Sequence, residues 1–252
     1  MVAAQRAAGY VFDRQNAVLK STLAGVNRVK ARTEVVRKAT PLLGSDLHRI
    51  LQGLNPEKPR DARDGALLSL GWAGALRRNE IVSLDWQQIG EGKGFVRIDE
   101  RGIVITLMRS KASQDAAVEV ILPVDDMPSA SIWLNAWAKL ANLQPGEPVF
   151  RGIIGKRISE QRLGDHSVND ATKSRVRAYA KSKGRSKKEA KELEGRFSGH
   201  SLRSGFATSA ADIDVPLHRL AEHTRHRSLE TLQGYIRTSQ KWKRSPLKGL
   251  GF

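Results

Sequence analysis

FVRIDERGIVITLMRSKASQDAAVEVIL, residues 95–122, is where the periodicity of the chain changes. Within it Ile103, Ile105 and Leu107 fall on every second position, and so do Val118, Val120 and Leu122. A two-residue period sends successive side chains to opposite faces of a strand, so one face of each segment can be buried. Gly92 and the Arg101-Gly102 pair supply turn signals. Residues 95–99, 102–108 and 117–122 are therefore predicted to form a small three-stranded antiparallel sheet.

Outward from this stretch the pattern is helical on both sides. Upstream, Ser45 is placed to cap a short helix over 45–51, which Asn55-Pro56 breaks. A longer helix over 61–75 carries Leu67, Leu68, Leu70 and Trp72, and another covers 79–84. Downstream of Pro128, helices are expected at 129–140, 167–182, 200–211, 217–222 and 228–236, punctuated by Pro145, Pro148 and Pro216. The fold class is mainly α with a small three-stranded antiparallel β-sheet (α+β).

The 252 residues, 40% of them hydrophobic, are enough to bury a real core. Cysteine is absent, which excludes disulfide scaffolds, thiolate-held zinc and cysteine nucleophiles. A bilayer span needs about 20 apolar residues, and uncharged runs such as 127–138 are shorter than that. Residues 1–10 lack the apolar centre of a signal peptide, so a cytoplasmic location and no membrane partner are expected. Residues 1–40 read as a helical, basic arm, or as the tail of an incomplete N-terminal domain, ending at Ala39-Thr40-Pro41.

Charge points to a partner. Lys and Arg number 43 against 26 Asp and Glu, a net of +17. Residues 171–203 hold eleven basic and three acidic side chains, and residues 218–252 eight and two. A polyanion would therefore dock on the C-terminal third. Within it Lys181, Lys183, Arg185, Lys187 and Lys188 are candidates for contacts with the phosphate backbone of such a partner.

Four short motifs carry the chemistry. In ALRRNEI (75–81), Glu80 lies one helical turn from Arg77 and can orient its fork. RSKASQD (109–115) joins the second and third predicted strands, where a hairpin tip could project Lys111 into a groove. In HSLR (200–203), His200 and Arg203 share a helix face, so a phosphate would meet an imidazole beside a guanidinium. HRSLETLQGY (226–235) places His226 at the entry of a helix and Tyr235 toward its end. A tyrosine of ordinary pKa near 10 is a poor nucleophile unless cations stabilise the developing charge and a base stands nearby. Singly, each motif also has a plain structural reading, as a surface ion pair, a solvated turn or a core tyrosine.

Together, Arg77, Lys111, His200, Arg203, His226 and Tyr235 occur in an order that resembles the tyrosine recombinase (phage integrase) family. The matching stretches are ALRRNEIVSLDW (75–86), RSKASQD (109–115), FSGHSLRSGFATSAA (197–211) and HRSLETLQGYIR (226–237). The resemblance implies a catalytic domain over 41–238 and a C-terminal tail over 239–252 that protomers exchange. It implies a site-specific recombinase acting on double-stranded DNA through a 3′-phosphotyrosyl intermediate. The partner state would be a homo-tetramer in the synaptic complex and a monomer free in solution. A type IB topoisomerase-like nicking-closing enzyme is the alternative.

Carried onto this sequence, the resemblance makes Tyr235 the nucleophile, Arg77 and Arg203 the clamps on the non-bridging oxygens, and His226 a further donor to them. Lys111 would protonate the leaving 5′-oxygen, and His200 would act as acid or base near the tyrosine. No cofactor, metal or ATP is implied. The sequence departs from the family pattern at Arg225, where glycine is usual before the histidine. That departure implies a different turn or an extra phosphate contact. The chain is also short for a member with its own core-binding domain.

Overall fold

The computed structural model describes residues 16–33, 39–108, 117–155, 157–226 and 232. The chain divides into two units, residues 1–38 and 39–252. In the first, α1 (Ala17–Thr33) starts where the Asn16 side chain accepts hydrogen bonds from the amides of Val18 and Leu19.

The second unit is organised around α3 (Pro59–Ala73). Pro59 suits the first turn of this helix, because the amide it lacks would have no partner there. Small residues let neighbours close in: a Cβ on Gly65 would stand 2.4 Å from the Trp133 ring, and one on Gly71 2.8 Å from Ile81. Hence α3 is buried almost all round, packed on α2 (Gly44–Gln52), α4 (Arg78–Val82), α5 (Pro128–Ala141), α6 (His166–Ser182) and α8 (His200–Asp212). Asp64, buried within α3, is held by Arg63 and Arg175, and Arg175 also grips Asp61 at 2.7 Å. That network fastens α6 to α3.

The central strands follow the alternation. Strands β2 (Gly94–Asp99), β3 (Gly102–Leu107) and β4 (Val118–Pro123) pair antiparallel, with Ile103 opposite Leu122 and Ile105 opposite Val120. Those four side chains are buried, whereas Ile121 on the other face is exposed. The sheet has a fourth strand, however. The two-residue β1 (Asp85–Trp86) adds to β2 in parallel, so the three-stranded expectation is too small. A second sheet pairs β5 (Arg151–Ile154) with β6 (Arg157–Arg162). A two-residue strand has no period to read, and RISEQR lacks the apolar alternation that betrays a half-buried strand.

Further helices are α7 (Lys187–Glu194) and α9 (Leu217–Thr224). No helix is expected between residues 182 and 200, but Ser186 and Glu189 exchange the reciprocal bonds of a capping box and start α7. Ser45 does not cap α2; Leu43 holds that position, and the Gly44 amide donates to Ser209 Oγ at 3.0 Å. The expected helix over 228–236 lies outside the described residues except for Leu232, which is helical and buried. Among the described residues no helix is long and apolar enough to cross a membrane.

The extended segment before α2 positions α8. The Leu42 amide donates to Ser201 O at 2.9 Å, and Leu42 O accepts from Trp72 Nε1 at 2.9 Å. A Cβ on Gly205 would lie 1.8 Å from Leu42 O, so only glycine permits this approach.

Candidate active site

Helix α3 ends where Ala75 takes a left-handed φ of 45° and the Leu76 amide turns back to Gly71 O. The carbonyls at this end have no helical partner and carry the negative end of the helix dipole. Donors from α8, from α9 and from Arg225 at the end of α9 occupy three in succession. His223 Nε2 donates to Ala73 O at 2.7 Å, and Arg225 Nη1 to Gly74 O at 3.1 Å. Ala75 O accepts from both Arg203 Nη1 (2.6 Å) and Arg225 Nη2 (2.9 Å). Burial, with the charges of Arg225 and Arg203, pulls His223 below its ordinary pKa despite the bond to Ala73. Its ring stacks on Phe206, with centroids 4.6 Å apart.

Arg203 is 2% exposed, and its Nη2 stands 3.4 Å from His226 Nε2. On the other side of that imidazole, Nδ1 lies 2.6 Å from Thr224 Oγ1. The Thr224 hydroxyl is itself 2.6 Å from Leu220 O. Its single proton goes to that carbonyl, so the network assigns a proton to His226 Nδ1 and leaves Nε2 as an acceptor facing Arg203. Burial first, then the charges of Arg203, Arg77, His200 and Arg225, pull His226 down to about 4. The ring is neutral at pH 7.

Arg77 occupies the N-cap position of α4, where Glu80 reaches back to it as the three-residue spacing requires. Glu80 Oε1 accepts from Arg77 Nη1 at 2.6 Å, and Oε2 from the Arg77 amide at 2.8 Å. Burial works to raise Glu80, but the Arg77 amide and the Arg225 and Arg77 charges outweigh it and hold the carboxyl below its usual range. Beside this pair a pocket of about 410 Å³ is lined by Arg77, Arg78, Asn79, Asp165 and His200. Partial burial, then the charges of Arg203, Arg77 and Arg78, lower the pKa of His200. Thus a half-exposed arginine, a buried arginine and two imidazoles biased to neutrality sit together. Such a set can bind a phosphoryl anion and accept a proton. Among the described residues no group of three His, Asp or Glu side chains could hold a metal ion.

The family model of the phage integrase family matches residues 41–241. The chain belongs to the phage integrase family. An integrase/recombinase XerD homologue of Selenomonas ruminantium is 29% identical over 238 residues, covering 92% of this chain and 63% of that protein. A tyrosine recombinase of Synechococcus elongatus is 29% identical over 205 residues, covering 81% and 56%. The chain thus spans about three-fifths of the length of these curated relatives. The XerH site-specific recombinase, solved in a post-cleavage complex with a palindromic difH substrate, superposes with a TM-score of 0.54 at 17% identity, over 83% of this chain and 54% of that one. That likeness shows the phage integrase fold.

Of the six candidate residues, the structure brings Arg77, His200, Arg203 and His226 together around the end of α3. Lys111 and Tyr235 lie outside the described residues. The backbone of Arg225 takes φ 55° and ψ 44°, the left-handed turn glycine would favour, so the glycine-type turn survives at an order of ~1 kcal/mol of strain. Its guanidinium turns inward. Lys181, Lys183, Arg185, Lys187 and Lys188 are all exposed, along the end of α6, the following turn and the start of α7. Thr224, His223 and Asp165 escaped the sequence reading. A threonine two residues before a histidine carries no signal until the end of a helix folds one onto the other.

Proposed function

We propose that this chain carries the catalytic part of a site-specific DNA recombinase, with residues 41–238 as its catalytic domain. The observation that carries this reading is Arg203. A buried guanidinium fixed on Ala75 O, touching His226 and sharing that carbonyl anchor with Arg225, is a charge held in place before its anion arrives. Such preorganised donors stabilise charge that grows in a transition state.

In this reaction the Tyr235 phenolic oxygen bonds to the scissile phosphorus as the P–O5′ bond breaks. The phenol proton passes to His200, whose lowered pKa keeps the ring able to accept it. Lys111 supplies the proton that the leaving 5′-oxygen takes. Arg77 and Arg203 hold the non-bridging oxygens. His226 is neutral at rest with Nε2 as an acceptor, so it donates to the phosphoryl group only after taking up a proton. An incoming anion favours that uptake by offsetting the neighbouring arginines. The bond energy stays in the phosphotyrosyl link, so a 5′-hydroxyl can reverse the step. Double-stranded DNA is the partner, with the exposed basic residues 181–188 on its backbone. Protomers assemble as a tetramer in synapsis by exchanging residues 239–252, with residues 1–40 as an arm.

The test is a nicked duplex whose sequence is selected by binding from a random pool. The wild-type protein should form a detergent-resistant covalent adduct with it, and Tyr235→Phe should not. No wild-type adduct on bound DNA, or an adduct that survives Tyr235→Phe, overturns the reading. Supercoil relaxation without exchanged strands would move the chain to the nicking-closing class.

A further inference from the structure

Arg225 bonds to three parts of the frame around this site and does not line the pocket. Its side chain is 10% exposed, so a duplex phosphate does not reach it without displacing protein. Four of its contacts are internal: Gly74 O, Ala75 O, His223 O at 2.9 Å and Glu80 Oε2 at 3.2 Å. The first two belong to the end of α3, the third to the turn that presents His226, and the fourth to the carboxylate that orients Arg77.

Glu80 is where the two arginines meet. With Arg77 as sole partner, its carboxylate would form a closed one-to-one pair and neutralise the guanidinium that must face an anion. Here two guanidinium groups share one carboxylate, which leaves a net positive charge on the Arg77 side. Ala75 O is shared in the same manner, so Arg225 also fixes the carbonyl on which Arg203 leans.

We infer that Arg225 is a positioning residue, a latch that joins the α3 terminus, the His226 turn and Glu80 so that Arg77 faces the phosphoryl group with a net positive charge and Arg203 is held in place beside it. The inference rests on the recombinase reading above and adds to it a role for the residue that stands where a glycine would suffice. Arg225 acts through other side chains and touches no DNA.

Arg225→Gly is the suitable variant, because glycine keeps the left-handed turn and removes only the side chain. Residues in one hydrogen-bonded network couple by amounts equivalent to roughly 2- to 150-fold in rate, so we expect adduct formation on saturating DNA to slow by about tenfold or more. DNA affinity and its salt slope should stay at the wild-type values. Arg225→Lys should recover part of the rate. In a Glu80→Gln background the effect of Arg225→Gly should shrink, since no carboxylate remains to be shared. A wild-type rate in Arg225→Gly overturns the latch. So does a salt slope shallower by about one, the mark of a lost phosphate contact, or a penalty fully additive with Glu80→Gln. A readout independent of activity is the NMR resonance of the Arg77 and Arg203 Nε–H groups in DNA-free protein. Both should shift in Arg225→Gly. Unchanged resonances refute the latch whether or not the wild type cleaves DNA, whereas shifted resonances with no wild-type adduct would fault the recombinase reading alone.

Discussion

Replacing Arg203 by lysine separates what this residue does for folding from what it does for chemistry. Among its contacts, the guanidinium reaches Ala75 O at 2.6 Å and His226 Nε2 at 3.4 Å at the same time. One ammonium on a flexible stem cannot hold both. Stability should suffer little, because Ala75 O keeps its bond from Arg225 Nη2 and no buried carbonyl is left bare. The loss of one shared hydrogen bond then costs about 1 kcal/mol, a fall in Tm of roughly 2–4 °C for a domain of this size. Chemistry should suffer far more. Removing one preorganised donor from developing charge typically lowers a rate by about 10²–10³-fold. Single-turnover adduct formation at saturating DNA, read beside calorimetric Tm, gives both numbers. A rate within threefold of wild type, or a Tm collapse beyond about 10 °C that accounts for the lost activity, would rule out this division of roles for Arg203.

Other expectations follow from the same geometry. Gly205→Ala drives a Cβ against Leu42 O, which backbone cannot yield cheaply, so chemical denaturation should show a loss of more than about 2 kcal/mol; a neutral result would mean that α8 and the Leu42 segment do not pack as described. His226 is held near 4 against an ordinary 6.5, so only the unfolded chain takes up this proton between those values. Stability is therefore full above pH 6.5 and falls as the pH drops toward 4, a trend that His200 and His223 share in direction. Phosphate should soften that fall by offsetting Arg203 and Arg77; a Tm equal at pH 7.5 and 5.0 contradicts it. Neutralising Lys181, Lys183, Arg185, Lys187 and Lys188 together should weaken binding equally across DNA sequences and flatten the salt dependence. An unchanged salt slope would take those residues off the backbone.

The parts of this molecule written in local pattern were legible in its sequence. The buried alternation of Ile103, Ile105, Val120 and Leu122 specified the central strands and their inner face. The Arg77–Glu80 contact followed from helical spacing alone. Features that depend on close approach were not legible. Asp85 and Trp86 join the sheet only because β2 passes beside them, and the polar β5–β6 hairpin has no apolar period to announce it. Likewise, the carbonyls of Ala73, Gly74 and Ala75 become a cation-binding terminus only when α8 and α9 arrive from more than a hundred residues away. At Arg225 the sequence implies either a different turn or an extra phosphate contact, and the backbone keeps the left-handed turn. The fold turns its guanidinium inward instead.

The recombinase reading requires these distant side chains to converge on one phosphate. It is tested most directly by a crystal structure of the Tyr235→Phe protein on its selected duplex. One backbone phosphate should lie within hydrogen-bonding distance of Arg77, Arg203 and a protonated His226, with its phosphorus facing the ring at position 235. A duplex seated only on residues 181–188, with every phosphate remote from Arg203, would contradict the account.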